Sequence, residues 1–121
     1  MAGTADLGLY AEYLFQSGVS TDNAAVTITL GATANTRHVV RSVHVSYEAA
    51  ASAADHLVTI AWTQRGLAKG LTMAIAAGEA SPTYVFDFPE GYIIGDTNTA
   101  ITIELDAGGV GNIGHINVWY R

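Results

Sequence analysis

The stretch Thr99-Ala-Ile-Thr-Ile-Glu-Leu-Asp-Ala-Gly-Gly-Val-Gly-Asn-Ile-Gly-His-Ile-Asn-Val-Trp-Tyr-Arg121 decides how this chain folds. Ile101, Ile103 and Leu105 fall on every second position, and so do Ile116, Val118 and Tyr120 beyond a glycine-rich break. Strand side chains point to opposite faces with a period of two, so each run presents one apolar face. That is the pattern of a half-buried antiparallel sheet. The stretch reads as a closing hairpin at the C-terminal edge of a sheet scaffold, with Gly108, Gly109, Gly111 and Gly114 serving as a turn and a close backbone approach.

The same alternation recurs upstream. Val26, Ile28 and Leu30 interleave with threonines, and Gly31–Thr36 supplies turn chemistry. Arg37 to Tyr47 is rich in β-branched residues, which favours a strand. Its alternation sets Val39, Val43, Val45 and Tyr47 on one face and His38, Val40, Ser42, His44 and Ser46 on the other. The alanine-rich Glu48–Asp55 carries no amphipathic stripe and reads as a loop. Leu57 to Gln64 places Val58, Ile60 and Trp62 together before Gly66 breaks the run. Leu71, Met73 and Ile75 suggest one more strand, with a short helix over 67–77 as the competing reading. Tyr84, Phe86 and Phe88 share a face, Pro89-Glu90-Gly91 turns the chain, Tyr92–Ile94 is short, and Gly95–Asn98 is a turn of asparagine and aspartate type. Seven to nine short strands with turn signals between them predict an all-β fold, an antiparallel β-sandwich of jelly-roll-like form. No fixed-period repeat is present, which disfavours propellers and solenoids.

The chain has 121 residues, a length that fits one domain able to bury a core of its own. It has no cysteine, which excludes disulfides, thiolate metal sites and cysteine nucleophiles. Eleven acidic residues against five basic ones give a formal charge of −6, and the basic residues are scattered along the sequence. Phosphate backbones require clustered positive charge, so neither nucleic acid nor an anionic membrane is an expected partner. Charged residues make up 13% of the chain, against about 25% in a typical soluble domain, and so low a share suggests a surface partly covered by other chains. No lysine or arginine precedes Arg37, and no apolar run reaches the roughly 18 residues of a membrane span. Synthesis in the cytoplasm without a signal peptide is the expectation.

Residues 1–20 differ from the rest. Leu7, Leu9, Tyr10, Tyr13, Leu14 and Phe15 crowd together without clean alternation. The segment reads as an N-terminal arm or edge strand, with residues 21–121 forming the sandwich. Those six side chains would gain by burial on a neighbouring subunit, which makes them the candidate partner-binding residues.

Groups that carry chemistry are sparse. His38 and His44 lie six apart on one strand, about 20 Å, too far to share an ion. His56 and His115 would meet either one only through the fold. Asp87 and Glu104 sit inside strands as outward charges, not as a catalytic carboxylate pair. Asp96-Thr-Asn98 and Asp106 lack calcium-loop spacing and read as turns. There is no G-x-S-x-G elbow, and the glycines after Asp106 lack the lysine of a phosphate loop. No catalytic residue, cofactor or metal is expected, and the chain is not read as an enzyme. Trp62 and Trp119 leave sugar stacking open as an alternative, although an aromatic on an apolar strand face is more often core.

Three segments, RHVVRSVHVSYEAA (37–50), YVFDFPEGYIIGDTNTAITIELDAGG (84–109) and GNIGHINVWYR (111–121), together resemble small virion-associated proteins of tailed bacteriophages. The resemblance rests on Ser46-Tyr47 before an alanine-rich loop, the Phe88-Pro89 turn, the step Gly95-Asp-Thr-Asn-Thr-Ala100 into an apolar strand, and Ala107-Gly-Gly109. It covers roughly residues 24–121. It implies a capsid decoration or cement protein: a β-sandwich or jelly roll on the outside of the assembled virion head, commonly a homotrimer, with the major capsid protein as partner. A carbohydrate- or receptor-binding module of a phage tail or fibre is the second expectation.

Overall fold

The computed structural model describes residues 13–49, 55–76 and 83–121. Nine strands form in chain order: β1 (Leu14–Val19), β2 (Val26–Leu30), β3 (Val39–Ala49), β4 (His56–Gln64), β5 (Leu67–Ile75), β6 (Thr83–Asp87), β7 (Ile93–Ile94), β8 (Ile101–Leu105) and β9 (Asn112–Tyr120). All pair antiparallel. One sheet has the order β1-β9-β3-β6, with β7 added to β3, and the other has the order β2-β8-β4-β5. Apart from the β4–β5 and β6–β7 links, each connection carries the chain from one sheet to the other, which makes the sandwich a jelly roll. The segment from Leu67 is a strand, not a helix.

Core and alternation agree. Ile101, Ile103 and Leu105 of β8 are fully buried, as are Ile116 and Val118 of β9, Val58 and Ile60 of β4, and Val43 and Val45 of β3. They form one hydrophobic cluster with Val26, Ile28 and Leu30, and Trp62, Tyr84, Phe86 and Tyr120 pack against its margin.

Two expectations are corrected. The strands of the closing stretch are not a hairpin: β8 pairs with β2 and β4, whereas β9 pairs with β1 and β3 in the opposite sheet. Both are central strands rather than edges. Each presents a completely buried apolar row, and two such rows are best covered when they face each other across the sandwich. The second correction concerns β3. Its register shifts between Val40 and Ser42, so the extra residue of a β-bulge reverses the alternation there. Val40 is therefore buried with Val43, Val45 and Tyr47, and Val39 is only half-buried.

Turn chemistry accounts for the tight connections. Arg65 and Gly66 both adopt positive φ, 54° and 73°, in the two-residue link between β4 and β5, the geometry of a type I′ turn. A non-glycine residue is costly there, and the Asp96 carboxylate offsets the cost by accepting from the backbone N–H groups of Arg65 and Gly66, both at 2.8 Å. Gly109 and Gly111 also take positive φ, at 96° and 84°. Gly108 serves a different need, because a Cβ on it would lie 2.7 Å from the Tyr47 ring.

Gly108→Ala is expected to destabilise the fold by about 1–3 kcal/mol through overpacking against Tyr47, and Ile103→Ala by about 2–5 kcal/mol through the cavity it leaves. Chemical denaturation of the two variants measures both.

Candidate functional site

Antiparallel partners point to the same face, so the register defines what the β1-β9-β3-β6 sheet shows to solvent. Phe15, Trp119, Ser42 and Asp87 form one row across it, and Ser17, Asn117, His44 and Val85 form the next. Neither row contains a lysine or arginine. Phe15 and Trp119 are 50% and 40% exposed, with ring centroids 4.7 Å apart and planes tilted by 49°. Leu14, paired with Tyr120, points to the other face of the sheet and is 53% exposed. Large apolar groups left in water make the face of Phe15 and Trp119 the candidate binding surface.

Of the candidate partner-binding residues, Leu7, Leu9 and Tyr10 lie outside the described residues. Leu14 and Phe15 belong to β1, an integral edge strand hydrogen-bonded to β9, so the arm reading does not apply to them. Tyr13 precedes the strand and is fastened down. Its hydroxyl donates to Glu90 Oε2 at 2.7 Å, Glu90 Oε1 pairs with Arg121, and the Arg121 guanidinium lies 5.6 Å from the centre of the Tyr13 ring. The hydrogen bond from Tyr13 is the main influence holding the Glu90 carboxyl below its usual range, and the same bond raises the Tyr13 phenol.

Trp119 was readable from the sequence by its parity, since it falls between Val118 and Tyr120 on the opposite face from the buried row. Trp62 and Tyr120 face the other way and pack against the core. Trp62 Nε1 donates to Gln64 Oε1 at 3.0 Å. Gln64, Arg65, Leu67 and Lys69 line a shallow surface depression along the β4–β5 hairpin.

The titratable residues are dispersed. His38 is buried against Tyr120, with Nε2 2.8 Å from the Gly31 carbonyl, whereas His44 lies on the outer face beyond the bulge, so these two do not share a face. His56 packs on Tyr47 and sits 3.3 Å from Asp106, and His115 is 3.4 Å from Glu48. Asp87 and Glu104 belong to opposite sheets, and Asp96 and Asp106 to opposite ends of the sandwich. Among the described residues no group of three or more His, Asp or Glu side chains is placed to hold a metal.

Ser42, His44 and Asp87 do meet, in an order unlike that of a catalytic triad. Ser42 Oγ donates to Asp87 Oδ1 at 2.6 Å, and His44 Nε2 stands 2.9 Å from Ser42 Oγ. With its proton directed to the carboxylate, the serine accepts from the imidazole, so the histidine is not placed to deprotonate it.

At the other end of the sandwich Tyr47 is a structural joint. Its hydroxyl donates to the Asp106 carbonyl at 2.6 Å and lies 3.1 Å from Asp106 Oδ1, while Asp106 Oδ2 accepts from the Leu57 N–H at 3.0 Å. Burial, and then the Asp106 charge, push the phenol well above its ordinary value. The Tyr47 hydroxyl stays protonated and donating at any physiological pH.

No protein-family model matches the sequence, and no curated protein matches it significantly.

The Tyr13–Glu90–Arg121 clasp generates a pH dependence. Because folding lowers the Glu90 pKa, its stabilisation is complete above the ordinary glutamate range and is lost as pH falls through the depressed value. Hydrogen-exchange protection factors at the start of β1, from which the intrinsic pH dependence of amide exchange is divided out, are expected to fall on acidification below that range. In Glu90→Gln the same amides should exchange faster already at neutral pH and respond less to acid.

Proposed function

We propose that this chain is a structural virion protein that decorates the assembled head of a tailed bacteriophage, binding the major capsid protein and stabilising contacts between capsomers. The observation that carries the reading is the exposed Phe15–Trp119 pair on the outer face of the β1-β9-β3-β6 sheet, in rows without lysine or arginine. A partner covering that pair would gain the burial that water denies it. The jelly-roll strand order supports the reading, as does the resemblance, whose Tyr47, Phe88, Gly95 and Gly108 positions fall at joints of the sandwich. The proposed protein turns over no substrate and acts as a homotrimer on the capsid surface. It works by mass action: a protein that binds assembled subunits and not free ones shifts the equilibrium towards the closed shell.

One observation favours a second reading, a carbohydrate- or receptor-binding module. Asn117 lies in the next row of the same strand as Trp119 and Asp87 lies in the row of Trp119 two strands away, and an aromatic plane on a face that carries amide and carboxylate groups suits a sugar ring.

Co-sedimentation with purified empty heads tests the first reading. Wild-type protein is expected to bind at a fixed ratio to the major capsid protein. Trp119→Ala is expected to weaken binding by about 2 kcal/mol or more, roughly thirtyfold, with the fold intact. Deletion of residues 1–12, which leaves β1 in place, separates the contribution of Leu7, Leu9 and Tyr10 from that of the sheet. Absence of head binding together with glycan-array hits abolished by Trp119→Ala would favour the second reading.

A further inference from the structure

The fold gathers charges that the sequence scatters. The register places the start of β1, the end of β9, the start of β3, the end of β4 and the start of β5 at one end of the sandwich. Arg37 lies in the β2–β3 connection there, Arg41 at the bulge, Arg65 in the β4–β5 turn, Lys69 early in β5, and Arg121 just after β9. These are all five cations of the chain.

Among the described residues three carboxylates, Asp87, Glu90 and Asp96, share that end, and all three are engaged: Asp87 with Ser42, Glu90 with Arg121 and Tyr13, Asp96 with the backbone of the Arg65–Gly66 turn. Arg37 and Arg65 are exposed beside Asp96, and Lys69 is exposed along the β4–β5 depression that Arg65 also lines. The opposite end carries Asp22, Glu48, Asp55, Glu104 and Asp106, with no lysine or arginine.

Exposed aromatics divide the same way. Phe15, Trp119 and Tyr92, the last 56% exposed in the link between β6 and β7, all belong to the basic end. The large apolar groups exposed towards the acidic end are Val19, Leu57 and Val110.

We propose that the basic end is the protein-docking end of this molecule, and that its partner presents an apolar centre edged with carboxylates. The inference rests on the decoration reading and specifies which part of the molecule meets the head. Composition separates the two ends. Trp, Tyr, Phe and Arg are enriched at the centres of protein interfaces, whereas Asp and Glu are depleted there. The basic end holds all four arginines and the exposed Phe15, Trp119 and Tyr92, whereas five of the eight carboxylates among the described residues lie at the acidic end, without an arginine.

Charge complementarity then specifies the partner's rim. A chain of net charge −6 approaching an acidic surface is repelled in every orientation except the one that leads with its cations. The chain also enters the described fold at this end, through Tyr13, so residues 1–12 join the molecule beside the docking surface.

The test compares charge reversal at the two ends, using full-length protein and purified empty heads, with melting temperature as the check on folding. Arg37→Glu/Arg65→Glu/Lys69→Glu is expected to weaken head binding by about thirtyfold or more, and Glu48→Lys/Glu104→Lys by less than about threefold. Arg65→Lys, which keeps the charge, should bind as wild type. Wild-type affinity should fall as salt rises from about 0.05 to 0.5 M, since contacts between exposed charges are screened over that range. If the triple variant does not fold, Lys69→Glu alone, on an exposed strand position, together with the salt series carries the test.

Loss of binding in the acidic-end variant with retention in the basic-end variants would overturn the inference while leaving the decoration reading standing. Binding that is indifferent to salt would do the same. Failure of wild-type protein to bind heads at all would overturn both.

Discussion

The contact on which the molecule depends is between two rows of aliphatic side chains that enter the core from opposite sheets: Ile101, Ile103 and Leu105 on β8, and Ile116 and Val118 on β9. Burying each such side chain contributes about 1.5–3 kcal/mol, and none of the five retains measurable exposure. Because β8 and β9 are each the second strand of their sheet, the other strands add on both sides of them. Each sheet is thus built outward from a strand whose inner face is covered by the other sheet. The half-buried Trp62, Tyr84, Phe86 and Tyr120 close the margins of that core.

Much of this was legible because alternation with period two is a local property. The strand positions, the inward rows of β2, β4, β8 and β9, and the sandwich itself follow from residues a few places apart. What escaped depends on residues far apart in the chain. The pairing of β8 with β2 and β4, instead of with β9, is decided by which apolar faces need covering, and a glycine-rich link looks the same whether it returns to its own sheet or crosses to the other. The bulge at Arg41 moved Val40 inward and Val39 outward, yet no glycine or proline marks it in the sequence.

The candidate surface divides in the same manner. Trp119 could be assigned to the outer face by counting from Val118. Its pairing with Phe15, more than a hundred residues earlier, required the β1–β9 register. The grouping of the five cations likewise has no sequence signature, because it arises from strands that begin at the same end while lying far apart in the chain. The last two of the six candidate residues, Leu14 and Phe15, belong to an edge strand, and Phe15 stays exposed because it sits on the solvent side of that edge beside Trp119.

The polar side chains that hold the connections are as instructive as the core. Asp96 fastens the β4–β5 turn from the link before β8, Asn98 accepts from the backbone of Asn35, and Asp106 ties β8 to Tyr47 and Leu57. Each tether joins segments that are remote in sequence, as do the crossings between the sheets. A chain wired in this way has few contacts that can form early, so the loop-closure cost of bringing distant segments together falls due before most of the core can reward it. Folding is consequently slow for a domain of this size, and the same interdependence raises the barrier to leaving the native state. No strand can peel away without exposing the row it covers. Kinetic resistance of this kind is a property separate from equilibrium stability, because it rests on the height of the unfolding barrier.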